Sequence, residues 1–584
     1  MTRLAVIERK KCNPESCGNL LCQRLCPINR TGSECVYIGE DNKPLIDESL
    51  CTGCGICQNR CPNEAISIIN LPEELSSTPI NRYGQNGFAL YSLPSPVFGK
   101  VTGVIGKNGI GKSTAIKIMA GILKPNLGSE KESDIDEIIS FFKGTEKQNF
   151  FEKLRNGQIK VSYKPQAVDM IPKNTSGKVK ELLEKVDEKN KLKEIAKLLD
   201  IEKILERDIK NVSGGELQRV AIAASVLKKA NLYIFDEPTS YLDIKQRLIV
   251  SRFIRELADE DTSVIVIEHD LVALDYMADT VNIMYGKENA YGVVSNQKSA
   301  KAGINAFLEG FLREENVRFR QEKITFEIKP PIEHGAEKVL TKWEELEKNY
   351  EGFSLKADSG EAFREEIIGV LGENGIGKTT FAKILAGIEK PDSGEVDTKI
   401  KISYKPQYLD SGSDELVANV LQKAITKHNN DIILPLELKN LITSKINELS
   451  GGQLQRVAIA KALAEDSDIV LLDEPSAYLD VEQRLMVSKV ISNISSTKQI
   501  VPVVIDHDLV FIDSISNRLL VFDGEPAKYG HAHGPFTMED GMNRLLKEVE
   551  ITLRRDDQSG RPRVNKKDSI KDREQKQSGK FYYA

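Results

Sequence analysis

Nine cysteines lie within the first 61 residues, and the remaining 523 positions hold none. Eight of them form two runs that end in Cys-Pro. Cys51, Cys54, Cys57 and Cys61 before Pro62 read C-x2-C-x2-C-x3-C-P, the spacing of bacterial-type [4Fe–4S] ligation. Cys12, Cys17, Cys22 and Cys26 before Pro27 stretch the same arrangement to C-x4-C-x4-C-x3-C-P. Thiolates clustered at these spacings bind iron, and each run calls for a compact scaffold of short helices or turns to converge its sulfurs.

A second chemistry is written twice. Residues 103–113 read GVIGKNGIGKS and residues 369–379 read GVLGENGIGKT, each an apolar strand running into G-x-x-x-x-G-K-[ST]. In such a loop, successive backbone N–H groups and a helix N-terminus surround phosphates. The glycines Gly106, Gly109 and Gly111 allow close approach, Lys112 reaches the β- and γ-phosphates, and Ser113 offers a hydroxyl to Mg²⁺. Lys107, Asn108, Ile110 and Thr114 complete the first ATP-binding loop. Gly372, Glu373, Asn374, Gly375, Ile376, Gly377, Lys378, Thr379 and Thr380 form the second.

Downstream, the apolar runs Leu232–Phe235 and Ile469–Leu472 end in Asp236-Glu237 and Asp473-Glu474. A buried strand ending in a carboxylate pair suits metal-assisted phosphoryl transfer. The aspartate would orient the Mg²⁺ shell, and Glu237 or Glu474 would polarise the attacking water. His269 and His507 each follow another apolar strand at equivalent points, where a contact to the γ-phosphate is expected.

The elements that position these residues repeat in order. YKPQ recurs at 163 and 404, SGGELQR at 213 against SGGQLQR at 450, and DEPTSYLD at 236 against DEPSAYLD at 473. A period near 237 residues is a duplicated domain, far too long for a solenoid. Lys112 to Gln166 is 54 residues, whereas Lys378 to Gln407 is 29, so the first half carries an insertion near 128–158. Its apolar spacing on either side of Lys143-Gly144 predicts two short helices. Phe141, Phe142, Phe150 and Phe151 need burial, which suggests a partner-contact element over a tolerated surface insertion.

At 584 residues, with 40% hydrophobic and 29% charged residues, the chain reads as a multidomain soluble protein. No apolar run approaches a membrane span, and no signal-peptide core opens the chain, so a cytosolic, thiol-reducing setting is expected. The net charge of −6 excludes a uniformly basic nucleic-acid coat. Residues 551–584 nevertheless hold ten Lys/Arg against five Asp/Glu, a tail that could meet a phosphate backbone.

The segments SGGELQR and SGGQLQR, between a Gln-containing loop and the Asp-Glu strand, resemble the signature motifs of ABC ATPases. That resemblance implies Q-loop residues Gln166 and Gln407 at Mg²⁺, D-loop aspartates Asp243 and Asp480, and switch histidines His269 and His507. It also implies head-to-tail sites. Lys112, Glu237 and His269 would face Ser450, Gly451, Gly452 and Gln453, while Lys378, Glu474 and His507 would face Ser213, Gly214, Gly215 and Glu216. Val212 and Glu216 depart from the common LSGGQ pattern, so the two sites are expected to be unequal. Adenine is expected on Phe88 or Tyr83 in the first half and on Phe353 or Tyr350 in the second, core packing being the competing role.

With the two cysteine runs, the insertion and the basic tail, nearly the whole chain resembles ABC subfamily E, the RNase L inhibitor or ribosome-recycling ATPases. The resemblance implies an α/β fold of two tandem ABC domains behind a small α+β ferredoxin-like domain. The expected division is 1–72 for the ferredoxin-like domain, 73–312 for the first ATPase domain, 313–331 for a hinge, 332–530 for the second ATPase domain and 531–584 for a basic hinge or tail. It implies a monomeric cytoplasmic factor that binds the small ribosomal subunit, rRNA included, beside a release or rescue factor. ATP-driven closure would then split the subunits, and initiation factors stand open as further partners. The inserted helices would contact small-subunit rRNA.

In two-cluster ferredoxins the last cysteine of each run serves the other cluster. On that pattern Cys51, Cys54, Cys57 and Cys26 hold one [4Fe–4S] cluster, Cys12, Cys17, Cys22 and Cys61 hold the second, and Cys35 is left as a small buried hydrophobe. Two rival readings are an ATP-gated electron-transfer protein, motivated by the cysteine spacing alone, and a transporter's ATPase subunit, for which no membrane span is present.

Overall fold

The computed structural model describes residues 3–70, 78–326, 339–385, 387–396, 400–407 and 411–583. The expected boundaries at 72/73 and 331/332 lie outside the described residues.

Each ATPase half is built on one mixed sheet, and the strand order is the same in both. In the first half Val101–Ile105 lies between Thr280–Lys287 and Ser263–Ile267, followed by Leu232–Asp236 and Val161–Lys164, all parallel. In the second, Ile368–Leu371 lies between Arg518–Glu525 and Val501–Ile505, followed by Ile469–Asp473 and Ile402–Lys405. The strands VTGVI, LYIFD and SVIVI are buried along their whole length. Continuous burial is what helices on both faces of a parallel sheet require, and it explains the near-continuous Val/Ile/Leu runs. An antiparallel edge, Asn81–Arg82 with Ala89–Leu90 and its counterpart Leu346–Tyr350 with Phe353–Ala357, completes each sheet.

The cysteine-rich head pairs Arg3–Ile7 antiparallel with Ile66–Asn70 and adds the hairpin Val36–Ile38/Pro44–Ile46. Short helices Leu21–Leu25, Pro27–Arg30 and Ile56–Arg60 carry or flank the cysteines. The head is docked on the first ATPase half. Buried Asn86 accepts from Ile46 N at 2.8 Å and donates to the carbonyls of Ala5 and Ile46, and Arg82 forms a two-pronged ion pair with Glu48.

Three expectations are corrected. The second ATPase domain does not end at 530, where a basic hinge or tail was expected to begin: Tyr529–Thr537 is a strand of its sheet, and helix Met538–Glu548 packs on it. Some of the basic residues further on are paired internally, while Lys566, Lys567, Lys571, Arg573 and Lys580 stay exposed. Arg561, fully buried, and Arg563 both reach Asp275 of the first half, and Arg555 reaches Asp513. Finally, helices Ile135–Phe141 and Glu146–Arg155 flank the Lys143-Gly144 turn, but Phe142, Phe150 and Phe151 bury against the first half's own core. Only Phe141 stays exposed, at 38%. The aromatics therefore supply no argument for a partner.

One apolar cluster spans both halves, joining Ile244, Leu271, Phe307 and Phe326 to Val481, Leu509, Leu553 and Tyr582. Residues of the expected hinge belong to it: Phe326 lies in that core, and Val317, Phe319 and Ile324 pack against it. The two halves are thus joined by a shared apolar core.

Candidate active site

Each phosphate loop sits between a buried strand and a helix, Lys112–Met119 or Lys378–Leu385. Gly111 has φ +89°, and a Cβ there would stand 2.6 Å from the Phe88 ring. Gly377 has the same relation to Phe353 at 2.9 Å, so glycine is required at both positions. Of the aromatic candidates, the Phe88 and Phe353 rings therefore abut the loop glycines, while Tyr83 touches the first loop through its hydroxyl, 3.1 Å from Thr114 Oγ1. Tyr83 and Tyr350 lie 6.4 Å away, ring to ring, on the exposed side. Lys112 Nζ donates to the carbonyls of Gly106 and Lys107, and Lys378 Nζ to those of Gly372 and Glu373. Burial pulls the Lys378 ammonium down to about 8.

Glu237 and Glu474 follow their strands with φ +47° and +48°, a left-handed conformation that glutamate adopts at a cost of about 1–3 kcal/mol. The surroundings of each turn hold it in place. Gln218 Nε2 donates to the Glu237 carbonyl at 2.6 Å, and Lys164 Nζ to the carbonyls of Asp236 and Glu237 at 2.9 and 3.2 Å. Gln455 and Lys405 repeat this around Glu474. These four residues lie within YKPQ and the signature helix, yet sequence reading gave them no role. Strained backbone repeated at two carboxylates marks a functional turn. The carboxylates themselves accept from Gln166 Nε2 and Gln407 Nε2, each at 2.6 Å.

His269 and His507 point at these carboxylates, Nε2 to Oε1 at 3.8 and 3.9 Å. Burial, aided by Lys112 or Lys378, holds both imidazoles well below their usual range, so they are neutral. Both ring nitrogens of His269 are buried without a hydrogen-bond partner. An orphaned polar group of this kind fits a ligand that accepts or donates there, as an ATP γ-phosphate would. On the aspartate side, Thr379 Oγ1 donates to Asp473 Oδ2 at 3.0 Å. Burial, then Glu237, raises the Asp236 carboxyl to about 6. A hydroxyl beside an under-compensated carboxylate is a donor set suited to Mg²⁺.

The halves cross at their D-loops. Asp480 Oδ2 accepts from Asn108 N at 2.9 Å, and Asp243 Oδ2 accepts from Asn374 N at 3.2 Å. Lys107–Glu482 and Lys245–Glu373 ion pairs flank these contacts. Each aspartate also caps its own helix through Gln246 N or Gln483 N. One side chain thus ties one half's helix to the other half's phosphate loop. The signature serines act locally. Ser213 with Glu216, and Ser450 with Gln453, form reciprocal capping boxes on helices Gly214–Val226 and Gly451–Ala464. The Glu216 departure therefore preserves the cap, but adds a charge that Arg207 meets at 3.3 Å.

In the head, Cys26, Cys51, Cys54 and Cys57 line one cavity, closed by Pro27, Ile28 and Ile68. Cys12, Cys17, Cys22 and Cys61 gather beside it: burial and then the neighbouring thiols of this set raise the thiols of Cys12 and Cys22. Burial, above all, lifts Cys22 to about 12 and Cys57 to about 11. Crowded thiols this hard to ionise are a donor set that a cationic iron centre would deprotonate. Cys35 is buried at the wall of the same cavity, its thiol turned toward the Asp47 carbonyl.

The model of the ABC transporter family matches residues 97–240 and 355–477. That of the 4Fe-4S binding domain matches 44–67, and that of a possible Fer4-like domain in RNase L inhibitor matches 2–34. An uncharacterized ABC transporter ATP-binding protein of Methanocaldococcus jannaschii is 50% identical over 590 residues, covering 100% of this chain and 97% of that protein. Translation initiation factor RLI1 of Saccharomyces cerevisiae is 43% identical over 599 residues, covering 100% and 98%. The solved structure described as a model of ribosome-bound archaeal Pelota and ABCE1 superposes with a TM-score of 0.95 at 49% identity, covering 100% of this chain and 99% of that one. The chain belongs to ABC subfamily E, the RNase L inhibitor family. It is an ABC-type ATPase with an iron–sulfur domain, and among its described residues no helix is long and apolar enough to cross a membrane.

The two sites of this subfamily E chain differ in ways the duplication makes plain. Ser240 Oγ donates to Glu237 Oε2 at 3.1 Å, whereas Ala477 stands at the equivalent place beside Glu474. The carboxylate behind each turn is Glu268 in the first half, accepting from Thr239, and Asp506 in the second, accepting from Ser476. Burial, then Asp506 and Asp473, raises the Glu474 carboxyl to about 7.

Proposed function

We propose that this ATPase is a cytoplasmic ribosome-recycling factor, which binds the small subunit beside a release or rescue factor and splits ribosomes as its two halves close. The observation that carries the reading is the double D-loop crossing, Asp480 to Asn108 and Asp243 to Asn374. Each phosphate loop is hydrogen-bonded to the helix cap of the opposite half, so a change at one site is felt mechanically across the seam. The ribosome-bound state of the archaeal relative supports the same reading.

In this account Lys112 and Lys378, with the backbone of loops 106–114 and 372–380, bind the phosphates of two ATP molecules. Ser450–Gln453 and Ser213–Glu216 meet them from the opposite half on closure, and Phe88 and Phe353 pack beneath adenine. Ser113, Thr379, Gln166, Gln407, Asp236 and Asp473 would hold Mg²⁺, whose charge neutralises that developing on the phosphates. Glu237 and Glu474 take the proton of the attacking water, while neutral His269 and His507 hydrogen-bond the γ-phosphate. Because the Glu474 carboxyl titrates near 7, the site that depends on it loses its base as pH falls through that value. In a Glu237→Gln background, where only this site turns over, the ATPase rate should rise with pH between about 6 and 8 and then level. A flat profile would contradict the assignment.

The eight paired-run cysteines would hold two [4Fe–4S] clusters, one on Cys26, Cys51, Cys54 and Cys57 and the second on Cys12, Cys17, Cys22 and Cys61. Metal binding contributes folding energy to a head too small for a large core, which makes it a stiff lever. Cys57→Ser should lower bound iron and loosen the head against proteases while ATP hydrolysis persists. Loss of ATP binding in that variant would contradict a separable lever.

The direct test is co-sedimentation. Full-length protein with a non-hydrolysable ATP analogue should travel with small ribosomal subunits in a gradient, and should be released with ADP. Failure to bind subunits under either condition would overturn the reading.

A further inference from the structure

His531 and His533 lie two residues apart on strand Tyr529–Thr537, so their side chains share one face. Asp358 follows the parallel neighbour Phe353–Ala357 and donates its N–H to the Ala532 carbonyl, between the two histidines. His531 Nε2 is 2.7 Å from Asp358 Oδ1, and His533 Nδ1 is 2.9 Å from Asp358 Oδ2. The imidazole rings are 3.9 Å apart, and one ligand atom from each of the three residues lies within 4.8 Å of the others. The outer nitrogen of His533 is 3.1 Å from Asp523 Oδ2, which Arg544 also holds, at 2.9 Å.

This is the arrangement of a metal centre with its supporting carboxylate. A histidine that ligates a metal through one nitrogen commonly donates the other to a carboxylate, which fixes its tautomer. With Nε2–H given to Asp523, His533 turns a lone pair toward a carboxylate oxygen, an opposition that a cation relieves. Nitrogen and oxygen ligands at about 2.0–2.1 Å around tetrahedral zinc stand roughly 3.3 Å apart, so each histidine-to-carboxylate distance need lengthen by only about half an ångström. Half-exposed His531 and Asp358 leave a coordination position toward solvent.

The duplication supplies an internal control. In the first half the corresponding strand positions are Val293 and Ser295, and the position of Asp358 is taken by Leu93. The fold itself therefore needs neither a histidine nor a carboxylate at these places, Ser295 being bonded to backbone instead. We propose that Asp358, His531 and His533 bind one divalent cation of the zinc class, with Asp523 as the positioning residue for His533. The cation would clip the strand that carries Phe353 to its neighbour.

The chain's single tryptophan reports on this place, since Trp343 Nε1 donates to the Asp358 carbonyl at 2.9 Å. Cobalt(II) chloride titrated into nucleotide-free, cluster-loaded full-length protein should quench Trp343 fluorescence saturably, with one equivalent, and zinc should reverse it. His531→Ala should weaken cobalt binding at least about tenfold, and Asp523→Ala by about 10–100-fold, with ATPase activity retained as the check on folding. His533→Ser, the residue the first half carries at that strand position as Ser295, gives a second route should His531→Ala fold poorly. No saturable quenching, or quenching unchanged in both histidine variants, would overturn the proposal and leave the cluster as a hydrogen-bonded network of His531 and His533 with Asp358 and Asp523.

Discussion

Replacing Glu237 and Glu474 together by glutamine should lower ATP turnover by about 10²–10⁴-fold, the usual worth of a positioned general base, and leave ATP binding intact. The local structure should survive. Gln166 and Gln407 donate to the Oε1 atoms of the two carboxylates, and a glutamine keeps an acceptor oxygen there. The left-handed turn is held through its backbone carbonyls by Lys164, Gln218, Lys405 and Gln455, none of which the substitution touches. What disappears is the group that takes the proton from water. ATP should therefore persist in both sites and hold the halves closed. Steady-state phosphate release, read beside nucleotide retained after rapid desalting, checks this. Turnover at the wild-type rate would remove the carboxylates from the mechanism.

Asp275→Ala should be the most damaging single change away from the nucleotides. Asp275 is buried in the first half, and it receives both Arg561, wholly inaccessible, and Arg563 from the C-terminal segment. Removing the shared carboxylate strands Arg561 in the interior and leaves Arg563 only its 3.3 Å contact to Asp556. Breaking a buried ion pair from one side costs about 3–5 kcal/mol. For domains of this size each kcal/mol corresponds to roughly 2–4 °C in the unfolding midpoint. The melting temperature should fall accordingly, and limited proteolysis should open the C-terminal segment before either ATPase core. Unchanged melting and unchanged cleavage would mean that this segment does not tie the halves together.

These two expectations differ in how far the sequence discloses them. Lys112, Glu237 and His269 are legible because each stands at a fixed place in a local motif and each has a twin in the second half. Strand composition was equally readable, since VTGVI, LYIFD and SVIVI could only be buried. The capping role of Glu216 was within reach, because S-x-x-E is a helix-start signature whatever else it does. Contacts made by sheet order were not. Gln218 meets Glu237 because two elements dock side by side, and Arg561 meets Asp275 across 286 residues. A run of basic residues carries no mark of whether its partners are solvent, phosphate or buried aspartates. That is why the C-terminal segment read only as a basic hinge or tail that could meet a phosphate backbone. The phenylalanines of the insertion mislead for the same reason: composition says that they bury, and only the fold says against what.

The central claim is that ATP-driven closure of the two halves separates ribosomal subunits, and one measurement meets it directly. Ribosomes from the source organism, a release or rescue factor and the iron-replete protein would be incubated with ATP and resolved on a sucrose gradient. The Glu237→Gln/Glu474→Gln protein and a reaction without the factor would run in parallel. The account predicts free subunits with ATP, the protein held on the small subunit when hydrolysis is blocked, and little separation without the factor. Intact ribosomes and unbound protein in every reaction would contradict it.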